Sequence, residues 1–146
     1  MTTVQDIYRF IDQVAPFVIQ ESWDNAGMLV GHWKRPVQKI LVTLDITPEV
    51  VYEAEKVGAD LIVAHHPILF HPAKQVTDGG MDLVGQRVLA LAERGIAAIC
   101  CHTNWDSAQG GVNYVLAKLC GLEKQQILEV SGTDEQGVPY GIGRMG

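Results

Sequence analysis

Cysteine is scarce, long apolar runs are missing, and basic residues never cluster. Three cysteines are present, Cys100, Cys101 and Cys120, an odd number with no C-x-x-C spacing. That excludes a disulfide framework and leaves a thiolate metal site without its usual spacing. They read as reduced, buried, small hydrophobes. No apolar stretch approaches the roughly 20 residues of a membrane span. The amino terminus, TTVQDIYRFIDQV, carries acidic side chains and is unlike a signal peptide. The expected compartment is therefore the cytoplasm, with no membrane partner. Formal charge is -6, from 17 acidic and 11 basic residues. The missing basic face argues against a duplex nucleic acid partner, and only binding that weakens steeply with salt would reverse that. No internal repeat, low-complexity tract, P-loop or dinucleotide fingerprint occurs.

What is present is an ordinary globular composition. Hydrophobic residues make up 47% and charged residues 19% of 146, enough for one domain with its own core. Residues 1–146 are accordingly read as a single α/β metal-binding domain. Val4, Ile7, Tyr8, Ile11 and Val14 recur at helical spacing, capped by Thr2 or Thr3 and ended by Pro16. A loop carrying ESWDNAG leads into a short strand over 28–30. A repeating order follows. The β-branched run KILVTLDI (39–46) predicts a strand, and Thr47-Pro48 opens a helix that stops at Gly58. LIVA (61–64) is a second strand, then a turn-rich stretch, HHPILFHPAKQVTDGG. A helix over 82–94 ends at Gly95, and IAAICC (96–101) is a third strand. HTNWDSAQGG reads as a short loop before a helix over 112–119 that ends near Gly121. A further strand is expected around 127–130. Alternating strands and helices predict consecutive βαβ units and a mostly parallel sheet flanked by helices. The near-continuous apolar strands fit a sheet covered on both faces. The tail, TDEQGVPYGIGRMG, looks like the entry to another strand without the element that would follow, which suggests a piece of something longer.

Ligands of open α/β sheets bind at the carboxyl ends of the strands. There the sequence puts Asp45, then His65 and His66, then His102 with Asn104 and Asp106. Pro67 pushes His66 into an extended conformation, and neighbouring side chains of an extended segment project apart. The two imidazoles therefore suit two ions side by side, with the Asp106 carboxylate as the nearest bridging candidate. Such a donor set suits zinc, iron, manganese or cobalt. Two ions about 3.5–4 Å apart activate water and polarise a substrate oxygen. Any one of these histidines alone is more simply read as bonded to backbone; the pair at a strand end, with an aspartate at the next, favours metal. His71 and His32 are read as surface loop residues. His102 either orients a ligand or is a buried histidine bonded to backbone. Trp23, Asp24 and Asn25 precede Gly27 in a pattern that is also plain turn chemistry. Trp105 either walls a pocket or covers a sheet edge. Gly110 and Gly111 offer backbone donors to an anion, although a hinge is the commoner use of such a pair, and Gly79-Gly80 reads as a loop.

ESWDNAGMLVG, VTLDIT, the HHP loop and HTNWDSAQGGVN occur here in the order found in the Nif-three-like (YbgI-like) family, often labelled GTP cyclohydrolase type 2 homolog. The chain resembles that family from Trp23 to Gly146, and GIGRMG is similar to a G-x-G-R-x-G segment near the middle of its full-length members. The resemblance implies a Nif-three-like fold, of which this chain would be the N-terminal half. It implies a centre of two divalent metal ions with His65, His66 and Asp106 as ligands. A histidine and a glutamate complete that centre in the family, and neither has a counterpart here. It also implies hexameric rings and, by the family label, opening of the GTP ring system. Two functions follow: a metal-dependent hydrolase acting on a small molecule such as a nucleotide, or a non-enzymatic metal-binding or ring-scaffold protein. Asp24, Asp45 and His102 are the candidates for an acid or base, or for groups that orient a ligand.

Overall fold

The computed structural model describes residues 1–79, 81–134 and 137–146. The chain divides into two compact units, Met1–Phe10 with Asn25–His102, and Ile11–Asp24 with Thr103–Gly146.

The first unit holds a four-stranded sheet. Helix α1 (Val4–Val14) begins in this unit. Thr3 and Asp6 cap it reciprocally: the Thr3 N–H donates to the Asp6 carboxylate (2.9 Å) and the Asp6 N–H to the Thr3 hydroxyl (3.3 Å). The Thr3 hydroxyl also donates to the Asp6 carboxylate (2.7 Å), and this bond first, then that from the Thr3 N–H, holds the Asp6 carboxyl below its usual range. The strands are β1 (Gly27–Val30), β2 (Ile40–Thr43), β3 (Leu61–Ala64) and β4 (Ala97–Cys100). Their order is β1-β4-β3-β2, with β2, β3 and β4 parallel and β1 antiparallel to β4. The sheet is thus mostly parallel, as its alternating pattern predicts. Helix α2 (Pro48–Val57) starts at Thr47, whose side chain accepts from the Val50 N–H, and ends on the left-handed Gly58. Helix α3 (Leu83–Arg94) starts on the Asp82 carboxylate, which accepts from Val84 and Gly85, and ends at Gly95. Both pack on one face of the sheet, where Val51, Ala54 and Leu91 meet Ile62, Ala64 and Ala98. On the opposite face Leu61, Ala97 and Ile99 are fully buried.

Two expectations are corrected here. Coverage on both faces holds for β3 and β4 but fails for β2, the edge strand, where Val42 is 78% exposed. The strand expected over 39–46 also stops at Thr43, because the Thr43 hydroxyl turns back to donate to the Asp45 carbonyl (3.0 Å).

The second unit contains a 3-10 helix (Phe17–Ile19), helices α4 (Thr103–Ser107) and α5 (Val112–Leu119), and strands β5 (Gln126–Thr133) and β6 (Pro139–Met145). Ala15, Ile19 and Ala108 form its small core with Trp105 and Tyr140 packed against them. The buried Asn104 donates to the Ala15 carbonyl (2.8 Å). HTNWDSAQGG is therefore not a plain loop: its first half is α4. The Thr103 N–H donates to the Asp24 carboxylate (3.0 Å), supplying an N-terminal acceptor that lies 79 residues away and that no local pattern reveals. The strand expected from GIGRMG is present: residues 141–145 lie in β6, which pairs antiparallel with β5. Cys120, the C-cap of α5, is exposed, unlike the buried Cys100 and Cys101. Gly80, of the expected Gly79-Gly80 loop, lies outside the described residues.

Candidate metal centre

The carboxyl ends of β3 and β4 lie side by side because the parallel register pairs Ala64 with Cys100. Past that pair the two chains carry His65-His66 and Cys101-His102. The Cys101 N–H donates to the Ala64 carbonyl (2.8 Å), extending the alignment beyond the strands. His65, His66 and His102 converge as a result. Their ring centroids are 5.1 Å apart for His65 and His66, 5.3 Å for His65 and His102, and 5.8 Å for His66 and His102. One donor nitrogen from each lies within 4.8 Å of the others, a group that could hold a metal ion.

His65 and His66 do not form the extended segment that Pro67 suggests. The chain bends at both residues. Their N–H groups donate to the Thr43 carbonyl (3.2 Å) and the Leu44 carbonyl (2.9 Å), and so follow the bend that the chain makes after β2. The bend turns both rings toward one another rather than apart.

Each ring is held through Nδ1. His65 Nδ1 lies 2.8 Å from the Cys101 carbonyl oxygen, and His66 Nδ1 lies 2.8 Å from the Asp45 carboxylate. The Cys100 thiol donates to the His65 carbonyl (3.0 Å). Burial pushes the Cys101 thiol up to about 12, so it stays protonated and takes part only through its backbone. Phe70 sets its ring perpendicular to His102 at 6.2 Å. The loop that carries Phe70 is tied by Asn25, whose amide donates to the Leu69 carbonyl. His65 and His102 are half-buried and His66 is exposed, so the group is open to solvent on one side. Imidazoles with a fixed Nδ1 partner are the usual arrangement of metal-ligating histidines, and the residues present fit a metal ion.

The other sequence-derived candidates fall as follows. Asp45 sits in the bend after β2, beside His66. Asp24 belongs to the second unit, where its carboxylate accepts from both the N–H and the hydroxyl of Thr103. Asp106 is half-buried on α4 of that unit, and its backbone carbonyl accepts from the Asn113 amide (3.0 Å). Trp105 packs on the second unit's core. Gly111 opens α5 without a side-chain cap; a Cβ there would come within 1.8 Å of the Trp105 carbonyl oxygen, so close backbone approach explains the residue. His32 and His71 are exposed. Sequence reasoning missed the Cys101 carbonyl and Phe70. Nothing in side-chain chemistry marks a backbone acceptor; the register of β3 against β4 would have found it.

A family model described as Duf34/NIF3 (NGG1p interacting factor 3) matches residues 2–146. The chain belongs to that family. Among similar proteins is one from Clostridium perfringens named GTP cyclohydrolase 1 type 2 homolog, 38% identical over 142 residues, which are 97% of this chain and 52% of the relative. Among solved structures, a Staphylococcus aureus hypothetical protein superposes with a TM-score of 0.82 at 35% identity, over 90% of this chain and 43% of that one. A Bacillus cereus protein related to NIF3 superposes with a TM-score of 0.83 at 33% identity, over 89% of this chain and 35% of that one. The chain thus spans about half the length of the first relative and less of the other two. No helix among the described residues is long and apolar enough to cross a membrane.

Proposed function

We propose that this DUF34/NIF3 protein binds two divalent transition-metal ions through His65, His66 and Asp106 and acts as a metal-dependent hydrolase. The convergence of three imidazoles, two of them already engaged at Nδ1, carries this reading. His65 and His66 each offer Nε2, and His102 adds a third nitrogen in the same group. The assignment of Asp106 rests on the resemblance of HTNWD to the family motif. Its two oxygens are what a bridging ligand needs. Bound divalent ions would lower the pKa of a water molecule and polarise a substrate oxygen. The exposed side of His66 leaves the group accessible to a small molecule. The name carried by the Clostridium perfringens relative makes GTP the first substrate to test. Cytoplasmic location and a hexameric ring belong to the same proposal, the ring being read by light scattering on the purified chain.

Elemental analysis after purification tests the centre directly. Two metal equivalents are expected in the wild type, with strong loss in His65→Ala and His66→Ala and partial loss in Asp106→Ala. GTP turnover that depends on the restored metal would then establish the hydrolase. Equal metal content in the wild type and the His65→Ala/His66→Ala double variant would remove this site from consideration.

A further inference from the structure

We propose that Asp45 is a positioning residue of this centre: its carboxylate fixes His66 in the Nδ1–H tautomer and so presents Nε2 to the metal. The proposal rests on the metal-binding reading above and goes beyond it, because Asp45 is not one of the ligands.

A carboxylate at neutral pH only accepts hydrogen bonds, so the 2.8 Å contact from His66 Nδ1 to Asp45 Oδ1 places a hydrogen on Nδ1. In neutral imidazole the other nitrogen then carries the lone pair. His65 reaches the same tautomer by a different device, since the Cys101 carbonyl 2.8 Å from its Nδ1 also only accepts. Two adjacent histidines are thus set alike, one by backbone at the end of β4 and one by a side chain after β2. In both rings the lone pair is then at Nε2, and each ring places one nitrogen in the shared donor group.

The support for Asp45 is itself ordered. The Thr43 hydroxyl donates to the Asp45 carbonyl (3.0 Å), and the His66 N–H donates to the carbonyl of Leu44, the residue just before Asp45 (2.9 Å). Carboxylate and ring are therefore tied to one bend through the backbone as well as through their side chains. The competing explanation is an ordinary surface ion pair, since the side chains are 45% and 52% exposed. Such pairs contribute little and would not set a tautomer. The two explanations differ in what His66 does when it is neutral.

Nitrogen-15 NMR of the metal-free full chain decides this, at about pH 8, above the usual imidazole range. His66 is expected with Nδ1 protonated in the wild type. It should become a tautomer mixture in Asp45→Ala and remain largely Nδ1-protonated in Asp45→Asn, whose amide oxygen still accepts. Cobalt(II) titration of the same samples should show affinity about 10- to 100-fold weaker in Asp45→Ala, with Asp45→Asn between it and the wild type. His66 protonated at Nε2 in the wild type, or the same tautomer population in Asp45→Ala, would overturn the proposal. A tautomer change with no cobalt binding by any variant would instead overturn the metal reading on which it rests.

Discussion

Asp24 offers the sharpest test of how the second unit is held together. Its carboxylate accepts from the Thr103 N–H (3.0 Å) and from the Thr103 hydroxyl, while that hydroxyl accepts from the Glu21 N–H (2.9 Å). Three groups on two distant stretches of chain are thereby joined at the first turn of α4, where an anion is also favoured by the helix dipole. A net hydrogen bond to a charged group contributes about 1.5–3 kcal/mol. Asp24 and the network around it are only partly buried, so the low end applies to each of the two bonds. Asp24→Ala should therefore destabilise the second unit by about 3 kcal/mol. For a chain of this length that corresponds to a melting temperature lowered by roughly 6–12 °C. Asp24→Asn, which can still accept but has no charge, should lose about half as much. Urea unfolding followed by tryptophan fluorescence reads the change, since Trp105 packs on the core of this unit whereas Trp23 and Trp33 are 59% and 45% exposed. A loss below about 0.5 kcal/mol in Asp24→Ala, within the scatter of an ordinary surface substitution, would refute the capping role and return Asp24 to the list of acid or base candidates.

Three further outcomes follow from the first unit. Asp60 accepts from the N–H groups of Gln38 (2.9 Å) and Lys39 (3.2 Å), and these bonds, the first above all, with Arg35 nearby, hold its carboxyl below the usual 3.8. A carboxyl lowered in the folded state stabilises above its unfolded pKa and loses that contribution as pH falls through the folded value. Asp60→Asn should therefore cost about 1 kcal/mol at neutral pH, and urea midpoints of variant and wild type should converge in acid below the ordinary carboxylate range. Leu91, fully buried between α3 and the sheet, should lose about 2–5 kcal/mol on replacement by Ala, measured by the same unfolding. Iodoacetamide should label Cys120 in the native protein and reach Cys100 and Cys101, 1% and 6% exposed, only after denaturation; mass spectrometry of peptides distinguishes them.

Most of the fold was legible because local chemistry and periodicity agree. Thr47-Pro48 opens α2 and Gly58 closes it, and the apolar runs of β3 and β4 sit where burial on both faces requires them. The departures lie at element ends, which periodicity does not fix. β2 reads as a long β-branched strand, yet it is an edge that ends when the Thr43 hydroxyl finds the Asp45 carbonyl. The start of α4 is fixed by Asp24 from 79 residues away, and β5 extends to eight residues because β6 is there to pair with it. For α4 and β5 a partner elsewhere in the chain decides where the element begins or ends, whereas β2 is ended by a contact two residues ahead; periodicity carries no record of either.

The same distinction explains the candidate metal centre. That His65, His66 and His102 belong near one another follows from all three leaving strands at the same edge of a parallel sheet. How they meet depends on register. Because Ala64 pairs with Cys100, His66 falls beside His102, and the Cys101 carbonyl comes within 2.8 Å of His65 Nδ1. A shift of one residue along β4 would withdraw that carbonyl and leave the ring without its acceptor. Pro67 restrains only the residue before it, while the backbone bonds to the Thr43 and Leu44 carbonyls bend the chain at His65 and His66 together with its neighbour. The three imidazoles converge because hydrogen bonding between adjacent chains continues past the last residue of each strand, so the geometry of the group is set by the sheet rather than by the loop that carries it.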